Sequence, residues 1–159
     1  MGFFANILAS FLATSINTFT LPKRLGMAIN ETAYQREPKN LRRPDVSYFE
    51  LAKFPSLEVL FQDPPVIDRE PNLAIEVVSE DEPDRQRDLV TKREEYARAG
   101  IAEYWIVDPQ EHQITVLTLE GQTYRVHGEF GRGSVATSVL LPGFSVSVDA
   151  VFAAGQSNS

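Results

Sequence analysis

The apolar positions at the start of the chain predict a helix. Seven of them recur at helical spacing, and polar Asn6, Ser10 and Thr14 lie between them. The stripe consists of Phe3, Phe4, Ile7, Leu8, Phe11, Leu12 and Ile16. A helix packed on the core is the favoured interpretation, because the segment lacks the basic start of a signal peptide. A signal or membrane-surface segment is the alternative, and a cytoplasmic location is the expectation that follows.

The next part of the chain alternates like short strands separated by turns. The segment LGMAINETAYQREPKNLRRPDVSYFEL has EPKN as its clearest break. Pro44 permits only an edge or strand-start position, because proline has no backbone N–H to donate. Residues 52–70 are rich in Pro, Asp and other polar residues, and they predict a long loop inside the domain.

Residues 71–80, PNLAIEVVSE, predict a buried strand that contains one charge. Apolar and partly β-branched residues surround Glu76 on both sides. An unpaired carboxylate in a core costs several kcal/mol, so something should compensate it. The sequence leaves three alternatives open: a partner cation, a bound metal, or exposure of that strand face.

A helix follows this strand, and further strands follow the helix. Ser79 and Asp84 are capping candidates, Pro83 lies near the start, and Gly100 lies just past the end. The rest of the chain predicts a strand in IAEYWIVD, its hairpin partner in QITVLTL, a weak strand in GQTYRVHGEFGRGS, two short strands in VATSVLLPGFSVSV and a final helix from DAVFA.

The order of these elements predicts a mixed α/β domain. A strand, a helix of about four turns and another strand are typical of a crossover that joins parallel neighbours. A chain of 159 residues with 43% apolar content is long enough for one core. We therefore expect a single domain over residues 1–153 and a frayed tail at 154–159. Since the chain has no cysteine, a metal would need oxygen or imidazole ligands.

The charge distribution is asymmetric but carries little weight. The net charge is −7, yet residues 1–45 hold six basic and three acidic residues, which gives +3 there and −10 in the remainder. A basic face beside an acidic body is compatible with nucleic acid binding. Charge alone does not predict it.

Three residues could form one site: Asp45, Glu76 and Lys92. Lys92 lies three residues after Leu89 and four before Tyr96, so it shares their inward helix face. Two carboxylates can hold a divalent cation, and a nearby ammonium can meet the charge that develops on a phosphate.

Each of the three also has a structural interpretation. Asp45 can be a turn or ion-pair residue, Glu76 can face solvent, and Lys92 can pair with Asp88.

Four segments, RRPDVSYF, LAIEVVSEDE, RDLVTKREEYARAGIAEYWIVDP and LPGFSVSVDAVF, resemble the Uma-type endonucleases. These proteins are a branch of the PD-(D/E)XK, or restriction-endonuclease-like, superfamily. The resemblance runs from about Ala28 to Phe152 and implies a restriction-endonuclease-like α/β domain, with a central mixed sheet, flanking helices and C-terminal hairpins.

The resemblance also implies roles for individual residues. Asp45 would be the first acidic metal ligand, Glu76 the second, and the Val77 carbonyl a further ligand. The superfamily's usual lysine position, two residues after the second acid, is Val78 in this chain. Lys92 matches a position to which that lysine has migrated in this branch.

The function implied is a Mg²⁺- or Mn²⁺-dependent endonuclease that hydrolyses DNA with a metal-activated water. Related proteins carry an earlier segment with a further glutamate, which this chain is expected to lack. Two alternatives remain: a weakened nuclease that binds DNA or protein, and an interaction domain with a structural Asp88–Lys92 or Lys92–Glu76 pair. A homodimer through the Phe-rich first helix is expected by fold analogy.

Other polar residues predict no site of their own. His112 and His127 each lack a second histidine at ligand spacing, so both are interpreted as surface residues. Asp108 is expected to end a strand. Ser79 has no catalytic partners at a suggestive spacing, and helix capping is its simpler role.

Overall fold

The structure of the chain, a computed structural model, describes residues 2–36, 40–78, 81, 83, 85 and 87–156, without the side chain of residue 88. The capping candidates Ser79 and Asp84 lie outside the described residues, as do most of the EPKN turn and of the tail. The proposed pairing of Asp88 with Lys92 lies outside them too.

The described part contains four α-helices and ten strands. The helices are α1 (Phe3–Thr20), α2 (Leu57–Leu60), α3 (Lys92–Ala99) and α4 (Val148–Ala154). The strands are β1 (Gly26–Asn30), β2 (Ala33–Tyr34), β3 (Val46–Glu50), β4 (Val66–Ile67), β5 (Leu73–Val77), β6 (Glu103–Asp108), β7 (Gln113–Glu120), β8 (Thr123–Phe130), β9 (Val135–Thr137) and β10 (Ser145–Ser147). A 3₁₀ turn (Leu51–Lys53) follows β3, and a π-helical turn (Arg87–Thr91) leads into α3.

A six-stranded mixed sheet forms the centre of the fold, in the order β1-β3-β5-β6-β7-β8. Strands β5 and β6 are parallel, and the other neighbouring pairs in this sheet are antiparallel. The helical segment between β5 and β6 is therefore the predicted crossover, which confirms the α/β fold class. The short strands β9 and β10 form a separate antiparallel pair near the C-terminus.

Each face of the sheet has its own hydrophobic core. On one face, Leu8, Leu12 and Ile16 of α1 pack with Ile75, Trp105 and other strand residues, and α4 packs beside α1. On the other face, Tyr96 and Ala97 of α3 pack with Ala74, Val78 and Tyr104. Because side chains alternate along a strand, Glu76 shares the α3 face with Ala74 and Val78.

Helix α1 confirms the predicted amphipathic stripe only in part. Leu8, Leu12 and Ile16 are buried, whereas Phe3 and Phe4 at the start are exposed. By length and composition α1 is also apolar enough to cross a membrane, and it is the one such helix in the part of the chain that the structure describes. Its buried stripe contacts the sheet as a core helix does.

Residues 52–70 are more ordered than the sequence predicts. Ser56 caps α2 by accepting a hydrogen bond from the Val59 N–H, and β4 pairs in parallel with β2. The predicted long loop therefore contains two short elements, which the sequence missed because a two-residue strand between prolines and aspartates has too short a pattern to detect. The strand predicted as weak, β8, is eight residues long and pairs along β7.

The first strand of the hairpin carries a second buried glutamate, which the sequence did not single out. Glu103 starts β6 and is 1% exposed. Its Oε2 accepts hydrogen bonds from Trp105 Nε1 and Ser138 Oγ, and its Oε1 accepts from the backbone N–H groups of Val139 and Leu140. This carboxylate therefore fastens the loop before β10 to the sheet.

Candidate active site

The candidate site forms where β3 and β5 stop pairing. Val46 and Ile75 are the last residues of that ladder, and Asp45 and Glu76 lie one step beyond them. The Asp45 Oδ2 atom accepts a hydrogen bond of 2.7 Å from the Val77 N–H. The β3–β5 ladder ends at Val46, so the Asp45 side chain, in place of a backbone carbonyl, accepts the hydrogen bond from the Val77 N–H.

Glu76 is buried and held by two side chains from the helix above it. Only 2% of its surface is exposed. Lys92 Nζ lies 2.9 Å from Oε2, and the Tyr96 hydroxyl donates a 2.6 Å hydrogen bond to Oε1. Among the three alternatives for this charge, the structure shows a partner cation and excludes an exposed strand face.

The environment of Glu76 still favours its protonated form. Burial, followed by the negative charge of Asp45, raises the pKa of Glu76 to about 8, against the opposing effects of Lys92 and Tyr96. Burial, with the charge and hydrogen bond of Glu76, likewise raises the pKa of Tyr96 well above its ordinary value. The two carboxylates thus repel each other, and a divalent cation placed between them would relieve that repulsion.

Lys92 reaches Glu76 because it begins α3 on the inward face. Tyr96 lies one turn further along the same face and is buried, so both residues point at the sheet. The lysine side chain is 17% exposed, so it is not fully enclosed by the protein. The helix ends at Gly100 as predicted, in the left-handed conformation at φ 84°.

The structure thus brings Asp45, Glu76 and Lys92 into one place, as the sequence predicted. Val77 lies beside Glu76 and contacts Asp45 through its N–H. Tyr96 was identified only as a marker of the helix face, and its bond to Glu76 was missed. The inward spacing of a tyrosine was the one signal that could have indicated it, because a buried phenol needs a polar partner.

Two further polar contacts were also missed. Asp108 ends β6 as predicted, and it also accepts two hydrogen bonds from Arg85, at 3.1 and 2.6 Å. His112 is not an ordinary surface residue: its side chain is 14% exposed, lies on Phe152, and contacts Asp149 at 3.2 Å. His127 is exposed, as expected, and contacts Thr137.

The oxygen donors of the site fit a hard divalent cation. Each Glu76 oxygen accepts one hydrogen bond from the described residues, and a carboxylate oxygen can take part in more than one interaction. Across the described residues, no group of three or more His, Cys, Asp or Glu side chains forms a metal cluster. Mg²⁺ is commonly bound by one or two carboxylates and keeps several waters, so this donor set suits Mg²⁺ better than Zn²⁺.

The comparisons with known proteins agree with this fold. The model of the Uma2 family, described as "Putative restriction endonuclease", matches residues 1–149 of the chain. The protein therefore belongs to the Uma2 family, whose description is that of a nuclease.

A solved structure is similar over nearly the whole chain. It is a putative nuclease belonging to DUF820 from Anabaena variabilis ATCC 29413, with a TM-score of 0.75 and 20% sequence identity. The match covers 98% of this chain and 84% of that one. At this identity the likeness establishes the fold. No curated protein matches the sequence.

Proposed function

We propose that this protein is a Mg²⁺- or Mn²⁺-dependent endonuclease of the PD-(D/E)XK superfamily that hydrolyses the phosphodiester bonds of DNA. The observation that carries the proposal is the convergence of Lys92 on Glu76, 2.9 Å away, at the point where Asp45 leaves the sheet. Family membership supports the reaction class. In this proposal the enzyme acts in the cytoplasm, and a homodimer would let it cut both strands.

Asp45, Glu76 and the Val77 carbonyl would hold the cation. When bound, the cation would polarise a phosphate oxygen and lower the pKa of a water molecule. The two carboxylates are suited to this because Glu76 lies on β5 and Asp45 directly precedes β3, so the sheet fixes both backbones. The hydrogen bond from the Val77 N–H also fixes the Asp45 side chain, so little ordering would be needed on binding.

Lys92 would stabilise the negative charge that develops on the phosphate in the transition state. Its Nζ has three donors, and the bond to Glu76 aims the ammonium at the site. Tyr96 acts as a positioning residue, because its hydroxyl holds the other Glu76 oxygen. The rigid strand and helix thus align the ammonium with the two acids before any substrate arrives.

A second candidate function is a nuclease fold that binds DNA or a protein without cutting. The observation in its favour is the same salt bridge: Lys92 and Tyr96 satisfy both Glu76 oxygens without a metal. In that case Lys92 would only neutralise a buried acid. Its removal would then affect folding and would not change the rate of any reaction.

Nicking of a supercoiled plasmid tests the proposal. We expect the parent protein to nick DNA with Mg²⁺ or Mn²⁺ and not with EDTA. Lys92→Ala should lower the rate by about 100-fold or more, the effect typical of losing one group that stabilises transition-state charge. The matched control is Arg125→Ala, which removes an exposed cation from β8 and should leave the rate unchanged.

Two results would count against the proposal. Equal nicking by the parent and Lys92→Ala would show contamination or a wrong role for the lysine. Absence of nicking by a folded parent at every metal concentration would favour the binding function. Far-ultraviolet circular dichroism of each variant would show whether a loss of nicking reflects a loss of fold.

A further inference from the structure

A cleft rich in arginine lies beside the candidate active site. It has a volume of about 540 Å³ and is lined by Tyr34, Arg36, Asn40, Arg42, Glu95, Arg98 and Ala99. Three arginines and one glutamate therefore line the cleft, and Arg36 also pairs with a second acid, Glu70. This local excess of positive charge contrasts with the net charge of −7 for the whole chain.

Two of the three arginines are held in place by the protein. Arg42 forms a salt bridge with Glu95, and Arg36 pairs with Glu70 at 3.1 Å and donates to the Ala99 carbonyl. Exposed pairs of this kind add about 0–1 kcal/mol to stability, so fold stability alone does not explain the cluster. Their clearer effect is to hold two guanidinium groups in fixed positions.

Arg98 differs from the other two arginines of the cleft. It is exposed on α3 and makes no salt bridge with any residue that the structure describes. A guanidinium group can donate two parallel hydrogen bonds to phosphate oxygens, a geometry that lysine lacks. Arg98 is therefore available to an incoming anion without first breaking an internal ion pair.

The cleft and the candidate active site share α3. Lys92 lies at the start of this helix and Arg98 six residues later, which corresponds to about 9 Å along the axis at about 1.5 Å per residue. Arg42 comes three residues before Asp45 and contacts Glu95, one turn after Lys92. Tyr34 of the cleft and Tyr96 of the site also belong to one buried cluster.

We propose that this cleft binds a phosphate group of the DNA strand close to the bond that is cut. The inference rests on the proposed nuclease function, since it takes DNA as the ligand. Arg98 makes the direct phosphate contact, and the paired Arg36 and Arg42 line the same cleft.

This site gives an acidic protein a local means of holding a polyanion. The two carboxylates of the candidate active site repel a phosphate until a cation is bound there. A contact to a neighbouring phosphate would offset that repulsion and fix the register of the strand. The contact is to the backbone, so it carries no preference for base sequence.

Binding of a short fluorescein-labelled DNA duplex tests the cleft separately from cutting. Fluorescence anisotropy would be recorded in EDTA over a series of KCl concentrations, in the Glu76→Gln background, so that no strand is cut. Adding Arg98→Ala should weaken binding by about tenfold, the loss of one charged hydrogen-bonding contact. It should also reduce the slope of log K against log salt by about 0.9, the value for one phosphate.

The matched control is again Arg125→Ala, which removes one exposed positive charge that does not line the cleft. It should leave the affinity and the salt slope within error. If Arg98→Ala and Arg125→Ala weaken binding equally, the effect is one of net charge, and the cleft proposal is overturned.

The outcomes separate this proposal from the proposed function. Nicking by the parent together with an unchanged affinity for Arg98→Ala would overturn the cleft and leave the nuclease proposal standing. Arg98-dependent binding without nicking would support the cleft and reject the nuclease proposal. Absence of both binding and nicking would overturn both.

Discussion

Two buried glutamates on neighbouring parallel strands have opposite surroundings. Glu103 of β6 and Glu76 of β5 are 1% and 2% exposed. Glu103 accepts four hydrogen bonds from uncharged donors, on the face that carries α1. Glu76 accepts one from an ammonium and one from a phenol, and it also faces the charge of Asp45.

The difference shows how the neighbours of a buried acid distinguish a structural role from a candidate functional one. Four neutral donors satisfy Glu103 and leave little room for a further ligand. Glu76 pairs with a partly exposed lysine and has a second acid nearby, an arrangement that gains from an added cation. Burial alone would therefore have ranked both residues equally, whereas the identity of the neighbours distinguishes them.

The largest expected effect is on stability, from matched substitutions at the two acids. Each Glu103 oxygen accepts two hydrogen bonds, so in Glu103→Gln the amide NH₂ faces two donors whichever way it turns. We expect the free energy of unfolding to fall by about 3 kcal/mol. Glu76→Gln should cost about 1 kcal/mol or less, because the amide oxygen can still accept from Lys92 while the NH₂ donates to the Tyr96 hydroxyl oxygen.

Urea denaturation of the two variants and the parent would measure both values. Equal losses for Glu103→Gln and Glu76→Gln would remove the distinction between them. A larger loss for Glu76→Gln would make the Lys92–Glu76 pair a structural element.

The second effect is stabilisation by metal, which should depend on Glu76 and not on Glu103. At a Mn²⁺ concentration 100 times its dissociation constant, a single site adds about 2.7 kcal/mol to the free energy of unfolding. We expect the melting temperature of the parent and of Glu103→Gln to rise with Mn²⁺, and those of Glu76→Gln and Asp45→Asn to stay constant.

Differential scanning fluorimetry with and without Mn²⁺ measures this. The shift should be larger at pH 8 than at pH 6, because the metal displaces a proton from Glu76 and a raised pKa makes that harder in acid. A rise that survives both substitutions would place the metal elsewhere.

The smallest effect is the pH dependence of the metal-free protein. In the folded state the pKa of Glu76 is raised to about 8 from an ordinary value of 4.5, so between these values the native state binds more protons than the unfolded state. The contribution of Glu76 to stability is then full below about pH 4.5 and is lost as the pH rises towards 8, with a slope of at most about 1.4 kcal/mol per pH unit.

The difference in stability between the parent and Glu76→Gln isolates this contribution, since other groups titrate in both proteins. The parent should lose stability relative to the variant from pH 5 to pH 7. A constant difference would mean that Lys92 keeps Glu76 ionised over the whole range.

Local patterns were sufficient for the elements around the site. The spacing in α1, the apolar runs of β5 and β6, and Gly100 after α3 each gave the right element, because each pattern depends on neighbours close in sequence. The spacing of Lys92 relative to Leu89 and Tyr96 likewise predicted that Lys92 lies on the inward face of the helix. The catalytic and metal-binding roles of Asp45, Glu76, Val77 and Lys92 stay predictions.

Long-range contacts were beyond this reasoning. Three of the four donors to Glu103 come from residues 138–140, about 35 positions away, and no local period relates the two segments. The pairing of β2 with β4 depends on the loop geometry between them. The arginine cleft likewise combines residues 34–42 with the end of α3, which only the folded chain brings together.

The hydrogen bonds from Lys92 and Tyr96 to Glu76 fix the rotation of α3 about its own axis. Rotation of the helix by even a fraction of one residue would stretch both hydrogen bonds at once. The two bonds therefore set the direction in which every other side chain of α3 points. The direction of the Arg98 side chain relative to the sheet is set by the same two hydrogen bonds. Substitutions under α3 that leave every polar group intact could therefore uncouple the ammonium from the acids and shift the cleft in the same movement.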